Sequence, residues 1–262
     1  MTSRWWRELT TLEAGALRDR DCVAILPMAA TEQHGPHLPL GVDAFINHGV
    51  LERAVALAPA DLNFVVLPAS EIGKSNEHLD FAGTLTLTAE TLIRVVTEIA
   101  TGVERVGLRK IVLFNSHGGQ PQIADIVAQD LRARLRMIAV PVNSWRLMRA
   151  DDMFDATEIR YGLHGGAVET SIMMHLRPDL VRRAELRDFP SSAAAIERDF
   201  PHLAPDGRVR FAWQAQDLNR EGATGNAAAA DAEKGRALVD RAARGLIDIL
   251  RDLNHLPPTV PA

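Results

Sequence analysis

The sequence predicts an α/β fold, a three-layer α/β/α sandwich around a mostly parallel central sheet. Four short apolar segments rich in β-branched residues alternate with longer stretches whose apolar residues recur at helical spacing. Each apolar segment empties into a loop dense in polar residues, glycine and proline. The order strand, helix, strand, helix continues through Val142, as expected of a parallel sheet covered by helices on both faces.

Residues 1–21, with Trp5, Trp6, Leu9 and Leu17, read as a helix or irregular arm on the body, and paired tryptophans also suit a subunit contact. Cys22 to Pro27 is the first buried strand. A helix from Asp43 to about Leu57 follows, with Ile46, Val50, Ala54 and Leu57 on one face. Phe64 to Leu67 is the second strand. Thr88 caps the next helix, Glu90 sits in its positive first turn, and Gly107 ends it. Lys110 to Phe114 is the third strand, Pro121 opens a helix, and Met137 to Val142 is the fourth strand. Beyond it, a helix is expected over Ala167 to His175, an excursion or interface over 182–207, and a half-buried strand over Arg208 to Trp213. A long closing helix spans Ala228 to Asn254. No composition shift marks a boundary, so residues 1–262 are expected to form a single domain.

Length and an apolar share of 47% suit a soluble globular protein with a sizeable core. A net charge of −5 offers nothing to nucleic acid, and neither a signal peptide nor a membrane span is legible. The lone Cys22 makes no internal disulfide, which fits a reducing cytoplasm.

The polar loops carry the chemistry. The first sets out Glu32, His34, His37 and Asp43 within twelve positions. In extended backbone Glu32 and His34 point to the same side, and mixed carboxylate and imidazole donors suit zinc, manganese or iron. The loop reads either as a metal site or as a polar surface loop in which Asp43 caps the following helix. The second loop holds Glu71, Ser75, Glu77, His78 and Asp80; the third runs Asn115 to Pro121 around His117. In open parallel sheets ligands bind beyond the carboxyl ends of the strands, and these loops all leave that edge. Residues far apart in sequence are therefore expected to converge there.

In these residues the chain resembles the creatininase family of metal-dependent hydrolases. The matching pieces are E-x-H-G-x-H with the following Asp43, S-x-E-H from Ser75 with F-x-G-T from Phe81, and N-x-H-G-G from Asn115. H-G-G-x-x-E-T-S from His164 and the weaker E-K-G-R from Glu233 complete the set. The resemblance implies that Glu32, His34, Asp43 and His117 hold one or two divalent ions per subunit (zinc, manganese or iron), with Asp43 bridging. It implies proton transfer at His164 and assembly as a homo-oligomer, commonly a hexamer. Creatininase proper carries a ligand glutamate where this chain has Gly119, and Glu169 is the nearest candidate to replace it. Relatives with an acidic residue at the position of Ala167 differ as well; both departures point away from creatinine itself.

The expected reaction is attack of hydroxide on an amide or amidine carbon. Metal coordination lowers the pKa of water from 15.7 to about 7, and His164 supplies the proton to the leaving nitrogen. Ser75, Glu77, His78, Gly118, Gly119 and Trp145 are candidate substrate contacts, while His37 reads as fixing the loop. The substrate is expected to be a small cyclic amide or a formamide. A peptidase trimming a specific small peptide, as in mycofactocin maturation, and a metal-binding scaffold without turnover are the alternatives.

Overall fold

The structure, a computed structural model, describes residues 2–207 and 209–257. Its sheet has the order β2–β1–β3–β4, all parallel, from β1 (Val23–Met28), β2 (Phe64–Val66), β3 (Lys110–Asn115) and β4 (Ile138–Asn143). Successive side chains of a strand point to opposite faces. Val23 and Ile25 of β1, with Val112 and Phe114 of β3, enter one apolar core, and Ala24, Leu26, Ile111 and Leu113 enter the other. Both faces are thus buried, as parallel sheets require.

The helices are α1 (Thr11–Gly15), α2 (Val42–Leu57), α3 (Ala89–Arg105), α4 (Pro121–Leu135) and α5 (Ser144–Met148). They continue with α6 (Ala156–Tyr161), α7 (Ala167–Leu176), α8 (Ala193–Asp199), α9 (Ala215–Leu218) and α10 (Ala232–His255). Helices α2, α7 and α10 cover the first face through residues such as Ile46, Ile172 and Leu246; α3 and α4 cover the second through Val96 and Val127. The expected caps form: the Thr88 hydroxyl accepts from Thr91 N, and Pro121 starts α4.

The amino-terminal arm packs on the body as a set of short helical turns, and Trp5 forms a parallel bridge to Val66 on the outer edge of β2. Two expectations shift. The closing helix starts at Ala232, because Ala227–Ala229 is a separate 3-10 turn and Asp231 supplies the cap. The expected strand over Arg208 to Trp213 does not form: only a single bridge joins Ala204 to Arg210, and residue 208 lies outside the described residues. Alternation alone makes no strand without a partner for its backbone. The two-stranded pairing that this half of the chain does contain is β5 (Asp188–Phe189) with β6 (Gly225–Asn226).

Candidate metal centre

Beyond the sheet's carboxyl edge the loops are tied by backbone hydrogen bonds. Ala29 N donates to Ser70 O at 2.9 Å and Ser70 N to Pro27 O at 2.9 Å, so the β1 and β2 loops stay paired past the strands. Glu32 N donates to Leu40 O at 2.9 Å, which folds the first loop onto itself with Gly35 at φ +70°. Asn47 of α2 reaches the last turns of β1 and β3, donating to Met28 O at 3.2 Å and Phe114 O at 3.0 Å. Asn115 brackets the third loop, its amide donating to His117 O at 2.7 Å and its Oδ1 accepting from His117 N at 3.2 Å.

Glu32, His34, Asp43, His117, His164 and His78 are all buried there, and Glu169 is nearly so. Glu32, Asp43 and His117 bring donor atoms within 4.8 Å of one another, as do His34, Asp43 and Glu169, and Glu32, His34 and His164. Asp43 belongs to two of these groups and offers a different oxygen to each. Its Oδ2 lies 3.1 Å from His117 Nδ1, and its Oδ1 lies 3.8 Å from His34 Nε2.

Two observations show that these residues fit divalent cations. Among the described residues, Glu32 Oε2, His34 Nε2 and Asp43 Oδ2 are buried without a hydrogen-bond partner. Buried polar atoms are ordinarily paired, so three orphans converging on one space ask for a ligand. The electrostatics agree. Burial, reinforced by Glu32, pushes Asp43 up to about 7, and burial with the Asp43 charge pushes Glu169 up to about 8. Burial alone lowers the His117 pKa, but the Glu32 charge and the adjacent Asp43 carboxylate outweigh it and raise it well above the usual value. Carboxyls that hold protons at neutral pH and an imidazole drawn toward the cationic form mark a space short of positive charge.

The remaining predicted residues are placed as follows. His37 turns away: its Nε2 lies 2.9 Å from Gly165 O and 3.1 Å from Thr170 Oγ1, and its ring stacks on Phe189. It fixes the turn beside His164. Ser75 is fully buried, its hydroxyl 3.4 Å from His117 Nε2. Glu77 Oε1 lies 3.6 Å from that same nitrogen, and a Cβ on Gly119 would meet it at 1.9 Å, so the Glu77 carboxylate fills the room that a side chain at 119 would need. A Cβ on Gly118 would meet nothing. Trp145 packs on the first core and donates its indole N–H to Ser116 O at 2.7 Å.

Two residues escaped the sequence reading. Gln33 stands inside the first motif as a spacer, yet its amide joins His78, Gly35 and Gly222. Glu158 belongs to none of the motifs, yet its buried carboxylate accepts from Ala167 N at 2.6 Å and Asn226 N at 2.7 Å. It thereby satisfies the first turn of α7, the helix that carries Glu169. No spacing signal announces either residue: Gln33 meets the His78 ring and the backbone of Gly35 and Gly222, and Glu158 meets the backbone of Ala167 and Asn226.

Known proteins resemble this chain in sequence and fold. The creatininase family pattern, described as creatinine amidohydrolase, matches residues 7–250. The chain is 28% identical over 270 residues to creatinine amidohydrolase of Pseudomonas putida, covering 97% of this chain and 96% of that one. It is 30% identical over 247 residues to the mycofactocin precursor peptide peptidase of Mycobacterium tuberculosis, covering 90% and 89%. Among solved structures it resembles the Mn creatininase, with a TM-score of 0.77 and 26% identity over 96% of this chain and 98% of that one. It also resembles a Zn–Zn mutant creatininase, with a TM-score of 0.76 and 27% identity over 96% and 98%. The chain belongs to the creatininase family of hydrolases.

Proposed function

We propose that the protein is a metal-dependent amidohydrolase that cleaves a C–N bond in a small cyclic amide or formamide. The carrying observation is the pair of donor groups that share Asp43, one carboxylate oxygen facing each. Glu32 and His117 would hold one divalent ion with Asp43; His34 and Glu169 would hold the second with it. When bound, such ions lower the pKa of water to about 7 and polarise a carbonyl. Zinc is the first candidate, with manganese and iron behind it.

The chain's own residues do the rest. His164 donates from Nε2 to Gln33 O at 2.6 Å, which leaves the Nδ1 lone pair turned toward Glu32 at 3.9 Å. Burial lowers its pKa, so the ring rests neutral and accepts a proton at Nδ1 before passing it to the leaving nitrogen. His34 and Glu32 are already engaged in the two groups sharing Asp43, which leaves His164 for this task. Glu169 Oε2 accepts from Gly165 N at 2.5 Å, tying the turn that bears His164 to the second ion's ligand. Gly118 leaves the backbone open to substrate beside Ser75 and Trp145, while Glu77 occupies the space against Gly119.

The likeness to the mycofactocin precursor peptide peptidase favours a second reading, a peptidase for one short peptide. We further take residues 1–262 to act as one domain in a cytoplasmic homo-oligomer, a hexamer by family resemblance. The exposed Leu40, Leu79 and Leu85 at the site's rim suit a subunit contact, and no helix among the described residues is long and apolar enough to cross a membrane.

The test is metal analysis of the purified protein. Assays follow on creatinine, formamidopyrimidines, cyclic ureas and short peptides, before and after chelation. Chelator-sensitive cleavage of an amide supports the main reading and cleavage of peptides alone supports the second. Bound ions with no turnover would leave a metal-binding scaffold.

A further inference from the structure

Four histidines turn a ring nitrogen toward Glu32 Oε1: His117 Nδ1 at 3.3 Å, His78 Nε2 at 3.5 Å, His164 Nδ1 at 3.9 Å and His34 Nε2 at 4.0 Å. Distance alone would make all four equivalent as ligands. A neutral imidazole, however, has one donor nitrogen and one acceptor, so the partner of the outer nitrogen fixes the character of the inner one.

In three of the rings the outer nitrogen meets a backbone carbonyl. His34 Nδ1 lies 3.0 Å from Glu32 O, His117 Nε2 lies 2.9 Å from Lys74 O, and His164 Nε2 lies 2.6 Å from Gln33 O. A carbonyl only accepts, so each outer nitrogen carries a proton, and in the neutral ring, the form that holding a cation requires of His34 and His117, the inner nitrogen presents a lone pair.

His78 is wired the other way. Its outer Nδ1 lies 2.8 Å from Gln33 Nε2. The Gln33 amide has no freedom to turn over: Oε1 accepts from Gly35 N at 2.9 Å, and Nε2 donates to Gly222 O at 2.8 Å. An amide nitrogen only donates, so His78 Nδ1 accepts and the ring's proton lies on Nε2, facing inward. The backbone makes room for this. Gly222 sits at φ +84°, and a Cβ there would come 2.2 Å from Gln33 Oε1.

We propose that His78 is the hydrogen-bond donor of the site, locked as the Nε2–H tautomer by Gln33, and that it is not a metal ligand. The proposal rests on the metal-dependent reading above. A nitrogen without a lone pair cannot hold a cation, but a buried N–H beside the ligand cluster is placed to stabilise negative charge developing on the substrate oxygen. Gln33 acts only through His78 and is a positioning residue.

The test uses Zn²⁺-loaded protein labelled with ¹⁵N in histidine. Multiple-bond ¹H–¹⁵N spectra should show a ring with protonated Nε2 and bare Nδ1 that disappears in His78→Gln. Gln33→Glu exchanges the amide donor for an acceptor and should move a proton to Nδ1 of the same ring; Gln33→Met, which holds neither, should leave a mixture. His78→Gln should bind as many Zn²⁺ ions as the wild type, with affinity lowered no more than the 10–100-fold roughly typical of groups behind the ligands. On the best amide substrate its kcat should fall by about 10²–10³, as when one such donor is removed, with KM little changed. Loss of one Zn²⁺ in His78→Gln, or a bare Nε2 in the wild type, makes His78 a ligand and overturns the proposal. A wild type that binds no divalent ion would instead defeat the functional reading, while the spectrum would still decide the tautomer.

Discussion

Strand β3 has buried charge at both ends, and the two ends treat it differently. At the amino end Lys110 is fully buried, but its Nζ lies 2.6 Å from Asp21 Oδ2, and Asp21 is half exposed to water. At the carboxyl end, beside His117, Glu32 and Asp43 are as deeply buried, and each keeps an oxygen without a hydrogen-bond partner among the described residues. Burial of charge therefore does not by itself mark a site. The amino end is a closed ion pair; the carboxyl end is a set of donors facing one another with positive charge missing.

The strongest way to break this contrast is Asp43→Ala. If Asp43 serves both donor groups, the variant should lose both ions and fall to background hydrolysis, a larger effect than the ~10–100-fold typical of residues behind the ligands. Metal content by mass spectrometry checks it. Retention of one ion at full occupancy would mean that the two groups are independent.

The second effect is on stability against pH, with and without metal. Asp43 and Glu169 have folded pKa values raised to about 7 and about 8, and His117 is raised too. Raised groups contribute stability that is lost as pH climbs through the folded pKa. Thus these groups make the chelated protein lose stability as pH rises from the ordinary carboxyl range, about 4, to about 8, and His117 extends the loss upward from about pH 6.5. On the acid side His34, His37 and His78 are depressed by burial, so the folded state also weakens as pH falls below about 6.5, the ordinary histidine value. Divalent ions replace the protons at the carboxyls, so the loaded protein should keep its stability through the alkaline limb. Parallel alkaline limbs in thermal melts of the two forms would deny the carboxyls their part in binding.

How much of this contrast is legible in the sequence follows from its physical origin. The sheet and the gathering of Glu32, His34, Asp43 and His117 follow from local periodicity and from the side of a parallel sheet on which loops emerge. Glu169 could be named only by resemblance, since the placement of α7 depends on Glu158 satisfying Ala167 N. Gln33 was invisible because its hold on the His78 ring depends on the backbone of Gly35 and Gly222 fixing its amide, which no side-chain pattern encodes. The alternation at 208–213 misled for the converse reason: it records side-chain polarity and says nothing about a partner strand.

At the closed end, Asp21→Ala should strand Lys110. Removing one partner of a fully buried pair costs ~3–5 kcal/mol, but Asp21 is half in water, so a loss of about 2 kcal/mol is expected. Lys110→Met removes the charge with its stem's volume kept and should cost less. Denaturant unfolding gives both values, and metal content should not change in either. A change in metal content would show that the two ends of β3 are coupled.

The smallest effects sharpen the comparison most, because equal costs should have unequal consequences. The Thr88 hydroxyl accepts from Thr91 N at 3.2 Å, and Asp155 Oδ1 accepts from Thr157 N and Glu158 N at 2.9 Å. Each caps a helix, and each alanine substitution should cost about 1 kcal/mol. Helix α3 packs on the second core and carries none of the candidate ligands, so Thr88→Ala should leave activity per folded molecule intact. Helix α6 carries Glu158, whose carboxylate holds Ala167 N and so sets α7 and Glu169. Asp155→Ala should therefore weaken metal binding and turnover several-fold at a similar loss of stability. Equal activity in the two variants would show that α7 keeps its place without Glu158, and that the second ion's ligand is fixed by the packing of α7 on α2 and α10 alone.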